Sequence, residues 1–98
     1  MNMQAMLKQA QKMQKDMLKT QDEINAKEFV GKSSIVTVKM TGDRDIKEVK
    51  IDAEEFAKDE IEMLEDMISI AVNDALRQID KETNDKMGSY TNGLPGIF

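Results

Sequence analysis

The stretch that decides the fold is residues 36–51, which reads VTVKMTGDRDIKEVKI. Apolar and polar residues alternate over 36–40 and again over 49–51, a period of two that is typical of strands with one buried face. Residues 41–45 between them hold a glycine and two aspartates, which favour a turn. The stretch therefore predicts two antiparallel strands joined as a hairpin.

Upstream of the hairpin, residues 28–32 read EFVGK and predict a third, shorter strand, with Gly31 at a bulge or bend. We therefore expect a three-stranded antiparallel sheet over residues 28–51. Such a sheet has one face to cover, and the segments on either side of it predict helices that can cover it.

Residues 2–27 predict one long helix, because they contain neither glycine nor proline and are rich in residues that favour helix. Apolar residues recur there at the a and d positions of a heptad, and only Thr20 interrupts the series. The members of this methionine seam are Met3, Met6, Ala10, Met13, Met17 and Ile24. The helix would be about 39 Å long, which exceeds the roughly 30 Å diameter of a small domain. We therefore expect part of it to project or to lie against a second chain.

A second helix is predicted over residues 60–86, where apolar residues recur on one face at helical spacing. They are Ile61, Leu64, Ile68, Ala71, Val72, Ala75 and Ile79. Gly88 is expected to end this helix. Residues 88–98 hold three of the five glycines and the only proline, and are expected to form a mobile tail. Together the elements predict an α+β fold with the order α-β-β-β-α, in a single domain over residues 1–98.

Composition narrows the classes of function. The chain has no cysteine, histidine or tryptophan, so a catalytic pair built on a thiol or an imidazole and a Cys/His metal site are excluded. We expect a protein that is not an enzyme and that uses no cofactor, metal or small-molecule substrate. No apolar run approaches the roughly 20 residues that cross a bilayer, and the first residues lack the apolar core of a signal peptide. We therefore expect a cytoplasmic protein without a membrane partner.

The first helix carries the most informative charge pattern. Four of its lysines are spaced by four, three and four residues, which places them on one stripe opposite the methionine seam. The members of this lysine stripe are Lys8, Lys12, Lys15 and Lys19. The stripe spans about 16 Å, long enough for several phosphates at the roughly 3.4 Å spacing along one strand of duplex DNA. Spacing by itself favours a simpler interpretation, the solvated face of an ordinary helix.

Charge is segregated along the chain, although the net charge is −5. Residues 1–27 carry five lysines against three acids, and residues 52–66 carry eight acids against Lys58. The negative charge is thus concentrated at the start of the second helix, where it complements the helix dipole. Three basic residues late in that helix, Arg77, Lys81 and Lys86, are candidates to assist the lysine stripe in binding DNA. No aromatic residue lies among the lysines, so binding would rest on backbone phosphates and carry little sequence information.

Several short motifs resemble the YbaB/EbfC family of bacterial nucleoid-associated proteins. Residues 6–17, MLKQAQKMQKDM, look like the family's opening helix. Residues 49–52 (VKID), 62–66 (EMLED) and 71–75 (AVNDA) look like its later signatures, and 93–98 (GLPGIF) is similar to its usual tail. The resemblance covers nearly the whole chain in the same order.

The resemblance implies an α-β-β-β-α protomer and an intertwined or sheet-mediated homodimer from which the long helices project. It also implies binding of double-stranded DNA with low or modest sequence specificity, in nucleoid organisation or gene regulation. The candidate lysines come from the helical wheel and not from the resemblance.

Two functions remain open on the sequence. A DNA-binding homodimer is favoured by the lysine stripe and by the resemblance. A small acidic dimeric adaptor or chaperone, whose projecting helices hold an apolar segment of a protein partner, is favoured by the net charge. The first predicts affinity that falls steeply with salt, and the second predicts salt-tolerant binding that depends on the methionine seam.

Overall fold

A computed structural model describes residues 2–91 of the chain. The elements in order are helix α1 (Met3–Ala26), strands β1 (Glu28–Ser33), β2 (Val36–Thr41) and β3 (Ile46–Ile51), a 3₁₀ turn (Lys58–Glu60) and helix α2 (Ile61–Thr91). This order confirms the α+β class and the α-β-β-β-α arrangement. Within residues 2–91, neither helix is long and apolar enough to span a membrane.

The three strands form one antiparallel sheet in the order β1-β2-β3. Residues alternate along β2 between buried and half-buried, and the buried ones are Val36, Val38 and Met40. α2 lies over β1 and β2. On the same side of the sheet, Ile46 and Val49 of β3 stay 45 % and 44 % exposed. The central strand therefore faces the core, and β3 extends beyond the cover that α2 provides.

The core consists of two adjoining groups of buried side chains. One joins the end of α1 to the second half of α2 over the sheet and contains Ile24, Phe29, Met40, Ala75 and Ile79. The other lies nearer the start of α2 and contains Val36, Val38 and Ala71. Ile24 is the one buried residue of α1, so most of that helix lies outside the core. The resulting shape is elongated, with extents of 72 × 23 × 13 Å.

The prediction that β1 is short and bent at Gly31 is wrong. β1 has six residues, as do β2 and β3, and it pairs with β2 in continuous register. Glycine is needed at this position because a Cβ would lie 2.0 Å from the carbonyl oxygen of Ala71 and 2.7 Å from the backbone nitrogen of Ala75. Gly31 thus lets α2 approach the sheet closely. The one shift of register falls instead at Lys39 and Met40, between β2 and β3.

The predicted end of the second helix is also wrong, because α2 passes through Gly88 and continues to Thr91. Glycine inside a helix costs about 1 kcal/mol relative to alanine but keeps its backbone hydrogen-bond donor, so the helix does not have to stop there. The expected tail over 88–98 is therefore helical at 88–91, and residues 92–98 lie outside the described residues. At the other end, Ile61 is 47 % exposed, because Leu64 is the first residue of α2 that packs on the core.

Candidate nucleic-acid interface

The first half of α1 projects from the body of the protein. Asn2 caps its N-terminus, since the Asn2 side chain accepts hydrogen bonds from the backbone N–H groups two and three residues later, at 3.1 and 3.3 Å. All residues over 3–12 are exposed, burial begins at Met13, and it is complete only at Ile24. The projection follows from helix length, as the sequence indicated, because α1 packs mainly on α2 and only its second half contributes half-buried or buried residues.

The four lysines of the stripe are all exposed. Half-buried Met13 and Met17 and buried Ile24 mark the side of α1 that faces α2, and the helical wheel places the lysine stripe on the opposite side. No acid within residues 2–91 forms an ion pair with any of these lysines. Their ammonium groups are consequently available to an anionic partner.

Acidic side chains flank only the second half of the stripe. A shallow groove on the surface of α1 is lined by Lys12, Lys15, Lys19, Asp16, Asp22 and Glu23. Lys8 lies outside this groove, nearer the free end of the helix. Because each nearby carboxylate lowers the local positive potential, the positive potential of the stripe is strongest toward the free end of α1.

The three basic residues predicted on α2 do not extend the lysine stripe. The Arg77 guanidinium lies 3.9 Å from the Asp74 carboxylate, and the Lys86 ammonium lies 3.7 Å from the Glu82 carboxylate. Lys81 is exposed and forms no ion pair with the described acids. Since the stripe faces away from α2, these residues occupy a different side of the protomer. The structure brings the α1 lysines together and leaves the α2 set apart from them.

Glu82 ties the end of α1 to α2, a contact that the sequence analysis did not find. The Lys27 ammonium donates a hydrogen bond to Glu82 and lies 5.4 Å from the centre of the Phe29 ring. This hydrogen bond, together with attraction to Lys27 and Lys86, holds the pKa of Glu82 below its usual value against the opposing effect of desolvation. The contact joins the C-terminal end of α1 to α2, beside the buried packing of Ile24 in the cluster that contains Ile79. Its partners are 55 residues apart, so no local sequence signal reveals it.

A second set of lysines lies on the sheet face that α2 leaves open. Lys32 and Lys50 are cross-strand neighbours of Thr37, and the Lys39 ammonium lies 3.6 Å from the Glu48 carboxylate. The alternation along β2 is a signal that places Lys39 on this face. Strand register, which the sequence does not specify, brings Lys32 and Lys50 onto the same face as Lys39.

The acidic segment and the lysine stripe lie at opposite ends of the protomer. Residues 52–66 precede and begin α2, whereas α1 packs on the second half of α2 through Ile24 and Ile79. The rise of α2 from Asp66, the last acid of this segment, to Ile79 is about 20 Å, which exceeds the roughly 8 Å Debye length at physiological salt. The net negative charge therefore does not cancel the positive potential around α1.

Known proteins are similar to this chain over nearly the whole length of both. The YbaB/EbfC DNA-binding family matches residues 1–94. A nucleoid-associated protein of Enterococcus faecalis is 47 % identical over 98 residues, covering 98 % of this chain and 94 % of the relative. A nucleoid-associated protein of Lactococcus lactis subsp. cremoris (strain MG1363) is 50 % identical over 97 residues, covering 97 % of this chain and 98 % of the relative. The chain therefore belongs to the YbaB/EbfC DNA-binding family.

Proposed function

We propose that this protein binds double-stranded DNA as a homodimer, without catalysis, in nucleoid organisation or gene regulation. The observation that carries the proposal is the lysine stripe, four exposed lysines without acidic partners in the described chain, along about 16 Å of a projecting helix. Family membership and the nucleoid-associated relatives support the same partner and a location at the nucleoid in the cytoplasm.

The chemistry of the stripe supports binding through phosphates. Each lysine offers a compact charge with three hydrogen-bond donors, which suits a phosphate but reads no base pattern. The driving force is release of the counterions condensed on DNA, so affinity falls steeply as salt rises. No aromatic residue lies on α1 to stack on a base. Low or modest sequence specificity follows from these features.

The two edges of the sheet differ in a way that supports a homodimer. At the β1 edge, the Gln78 side chain donates to the carbonyl oxygen of Val30 at 2.8 Å, and the backbone N–H of Lys32 donates to Asp74 at 3.0 Å. The β3 edge has no neighbouring strand within residues 2–91, and the face beside it exposes apolar side chains. Open strand edges pair readily with another chain. Two-fold pairing of β3 with β3 of a second copy would satisfy both edges and cover the apolar surface.

The proposal is tested by fluorescence anisotropy of a labelled duplex across a salt series. One variant changes all four stripe lysines to glutamine. The matched control changes four exposed lysines elsewhere to glutamine, namely Lys32, Lys47, Lys50 and Lys58, so both variants carry the same net charge. Log affinity should fall less steeply with log salt in the stripe variant than in the wild type. The slope should be shallower by about 3.6 per protomer, since each phosphate contact contributes about 0.9.

For each protomer that contacts the DNA, the wild-type advantage over the stripe variant should then shrink about 150-fold between roughly 50 and 200 mM salt. The control should keep most of the wild-type slope. Equal slopes for the two variants would show that net charge, and not the stripe, governs binding. No binding by the wild type at low salt would overturn the proposal. Light scattering on all three proteins verifies that the mass of the assembly is unchanged.

The adaptor function is a second candidate, favoured by the apolar end of α1. Met3, Met6 and Leu7 are 81 %, 56 % and 60 % exposed, a surface that suits an apolar segment of a protein. Salt-tolerant capture of an unfolded model polypeptide, lost on changing Met3 and Met6 to alanine, would favour this function over DNA binding.

A further inference from the structure

We propose that the open half of the methionine seam on α1 pairs with the same stretch of a second copy, in antiparallel orientation. The open half comprises Met3, Met6 and Ala10, which are all exposed. It continues the covered half of the seam, where Met13 and Met17 are half-buried. An apolar strip that is covered along one half and exposed along the other lacks a partner for its exposed half. The pairing does not depend on DNA, whereas the bridging of two duplexes that follows from it rests on the proposed function.

The described part of α2 ends before it reaches the open half of the seam. α2 runs antiparallel to α1, because Lys27 pairs with Glu82 while Ile24, earlier in the chain, belongs to the cluster on which Met87 packs. The described part of α2 extends about 6 Å past Met87. Residues 3–13 begin about 16 Å beyond Ile24 in the same direction. These residues, about 15 Å of helix, are therefore not covered by the described part of α2.

Side-chain sizes along the open seam complement an identical helix that runs in the opposite direction. Reversing one helix sets the a positions of one copy opposite the d positions of the other. A two-fold axis level with residue 8 places Met6 opposite Ala10 of the partner subunit, so that a long side chain meets a short one. An apolar hollow lined by Met3, Met6 and Leu7 receives that alanine as a knob enters a hole. A parallel pair would set alanine opposite alanine and leave a void, which costs stability.

The residues beside the open seam favour a second copy as its occupant. The flanking positions hold Leu7, Gln9 and Gln14, none of which is charged. Identical chains therefore meet there without repulsion between like charges beside the seam, although each chain carries a net charge of −5. Two-fold pairing of one surface with itself is also the commonest form of association between identical chains.

The contact is small, so free protomers should pair weakly through it. Two faces about 15 Å long and 10 Å wide amount to about 300 Å², against the roughly 1,000 Å² of a stable interface. Copies that are bound to DNA are held close together, which raises their effective concentration. The seam therefore pairs mainly among bound copies, in addition to the interface proposed at β3.

Pairing through the seam turns the two lysine stripes away from each other. Because the stripe lies opposite the seam on the helical wheel, each stripe forms an outer face of the pair. The axes of packed helices are about 8–10 Å apart, and the stripes lie outside this contact. One pair thus offers phosphate-binding surfaces to two separate duplexes, and we expect the protein to bridge them.

The first test measures bridging as the capture of a labelled duplex by a second duplex that is fixed on beads. The seam variant changes Met3 and Met6 to glutamine. The matched control changes Leu18 and Ile70, two apolar residues outside the seam that are 61 % and 52 % exposed, to glutamine. Capture by the seam variant should fall about tenfold or more, since linked binding sites gain at least that factor. The control should capture as much as the wild type.

Fluorescence anisotropy on a single short duplex separates this proposal from the proposed function. Both variants should bind that duplex as the wild type does, because every stripe lysine is retained. Equal capture by the seam variant and the wild type overturns the proposal, and so does a wild type that binds one duplex without capturing another. A wild type that binds no duplex overturns the proposed function and the bridging, and cross-linking without DNA then decides the pairing.

The cross-linking test uses the absence of cysteine from the chain. Met6→Cys and Ala10→Cys are oxidised separately and as an equal mixture, at high protein concentration and without DNA. Antiparallel pairing predicts a disulfide between chains that forms mainly in the mixture and joins position 6 to position 10. The control mixture, Met6→Cys with Lys8→Cys, places one thiol on the lysine stripe and should stay largely reduced.

Three results of the cross-linking overturn the pairing. They are as much disulfide in either single variant as in the mixture, which would indicate parallel or random contact, no more disulfide in the mixture than in the control, and a disulfide in the mixture that does not join position 6 to position 10. Unchanged far-ultraviolet circular dichroism shows that each variant is folded.

Discussion

Replacing Gly31 with alanine tests whether the close approach of α2 to β1 holds the fold together. The added Cβ would lie 2.0 Å from the carbonyl oxygen of Ala71, 2.7 Å from the nitrogen of Ala75 and 3.0 Å from the Cβ of Ala75. The first two atoms are backbone, so no side-chain rotation relieves the overlap. Because non-bonded heavy atoms settle at about 3.5 Å or more, α2 must move outward by about 1.5 Å.

The loss in the free energy of unfolding depends on which packed residues the outward movement of α2 separates. Ala71, Ala75 and Ile79 are buried on the face of α2 that meets the sheet, and their packing loosens together. Overpacking a core typically costs about 1–3 kcal/mol, and the rigidity of the backbone partners places this case at the upper end. We expect a loss of about 3 kcal/mol in the free energy of unfolding. In a chain of this length the melting temperature should fall by more than about 12 °C.

The assay is thermal and urea unfolding followed by circular dichroism at equal protein concentration, since association changes apparent stability. Gly88→Ala is the matched control. A Cβ at that position meets nothing within 4 Å, and alanine removes a helix penalty of about 1 kcal/mol, so this variant should be more stable than the wild type. A loss below about 0.5 kcal/mol in Gly31→Ala, the range of ordinary surface changes, would refute the reasoning.

Three further predictions concern two side-chain contacts and the proposed dimer interface. Glu82→Gln should lower stability by about 1 kcal/mol at neutral pH. Because the pKa of Glu82 is lowered in the folded state, the stabilising effect of its carboxylate is complete above the ordinary value of 4.5 and is lost as pH falls through the folded pKa. A difference in unfolding free energy between the wild type and Glu82→Gln that persists in strong acid would contradict this. Asp74→Ala should speed hydrogen exchange of the Lys32 amide about tenfold by removing its acceptor, and unchanged protection would exclude the role given to Asp74. Val49→Lys should halve the mass measured by light scattering if β3 forms the dimer interface, and an unchanged dimer mass would place the interface elsewhere.

Local periodicity was enough to predict the elements of this fold. The alternation over 36–51 predicted β2 and β3 on either side of the correct turn, and the uninterrupted run over 2–27 predicted α1 to within a residue at each end. The same helical geometry separated the lysine stripe from the methionine seam. The structure agrees, since the seam faces α2 where it is covered and the lysines face outward.

Errors arose where a residue has more than one physical use. Glycine ends helices and forms bulges, but Gly88 lies inside α2 and Gly31 serves a close approach between a helix and a strand. The assignment of Arg77, Lys81 and Lys86 to DNA binding stays a prediction, and Arg77 and Lys86 each lie near an acid of α2. Sequence shows which residue types are present, and only their neighbours in space select among the uses.

The sequence by itself determined the order of the elements, the apolar side of each and the stripe of charge on α1, because these depend on backbone geometry over a few neighbouring residues. The tertiary structure decided how those sides meet. It placed α2 over β1 and β2 but not over β3, joined Lys27 to Glu82 and Arg44 to Asp80, and left half of the methionine seam open. These outcomes depend on contacts between residues far apart in the chain, which the periodicity of a single segment does not encode.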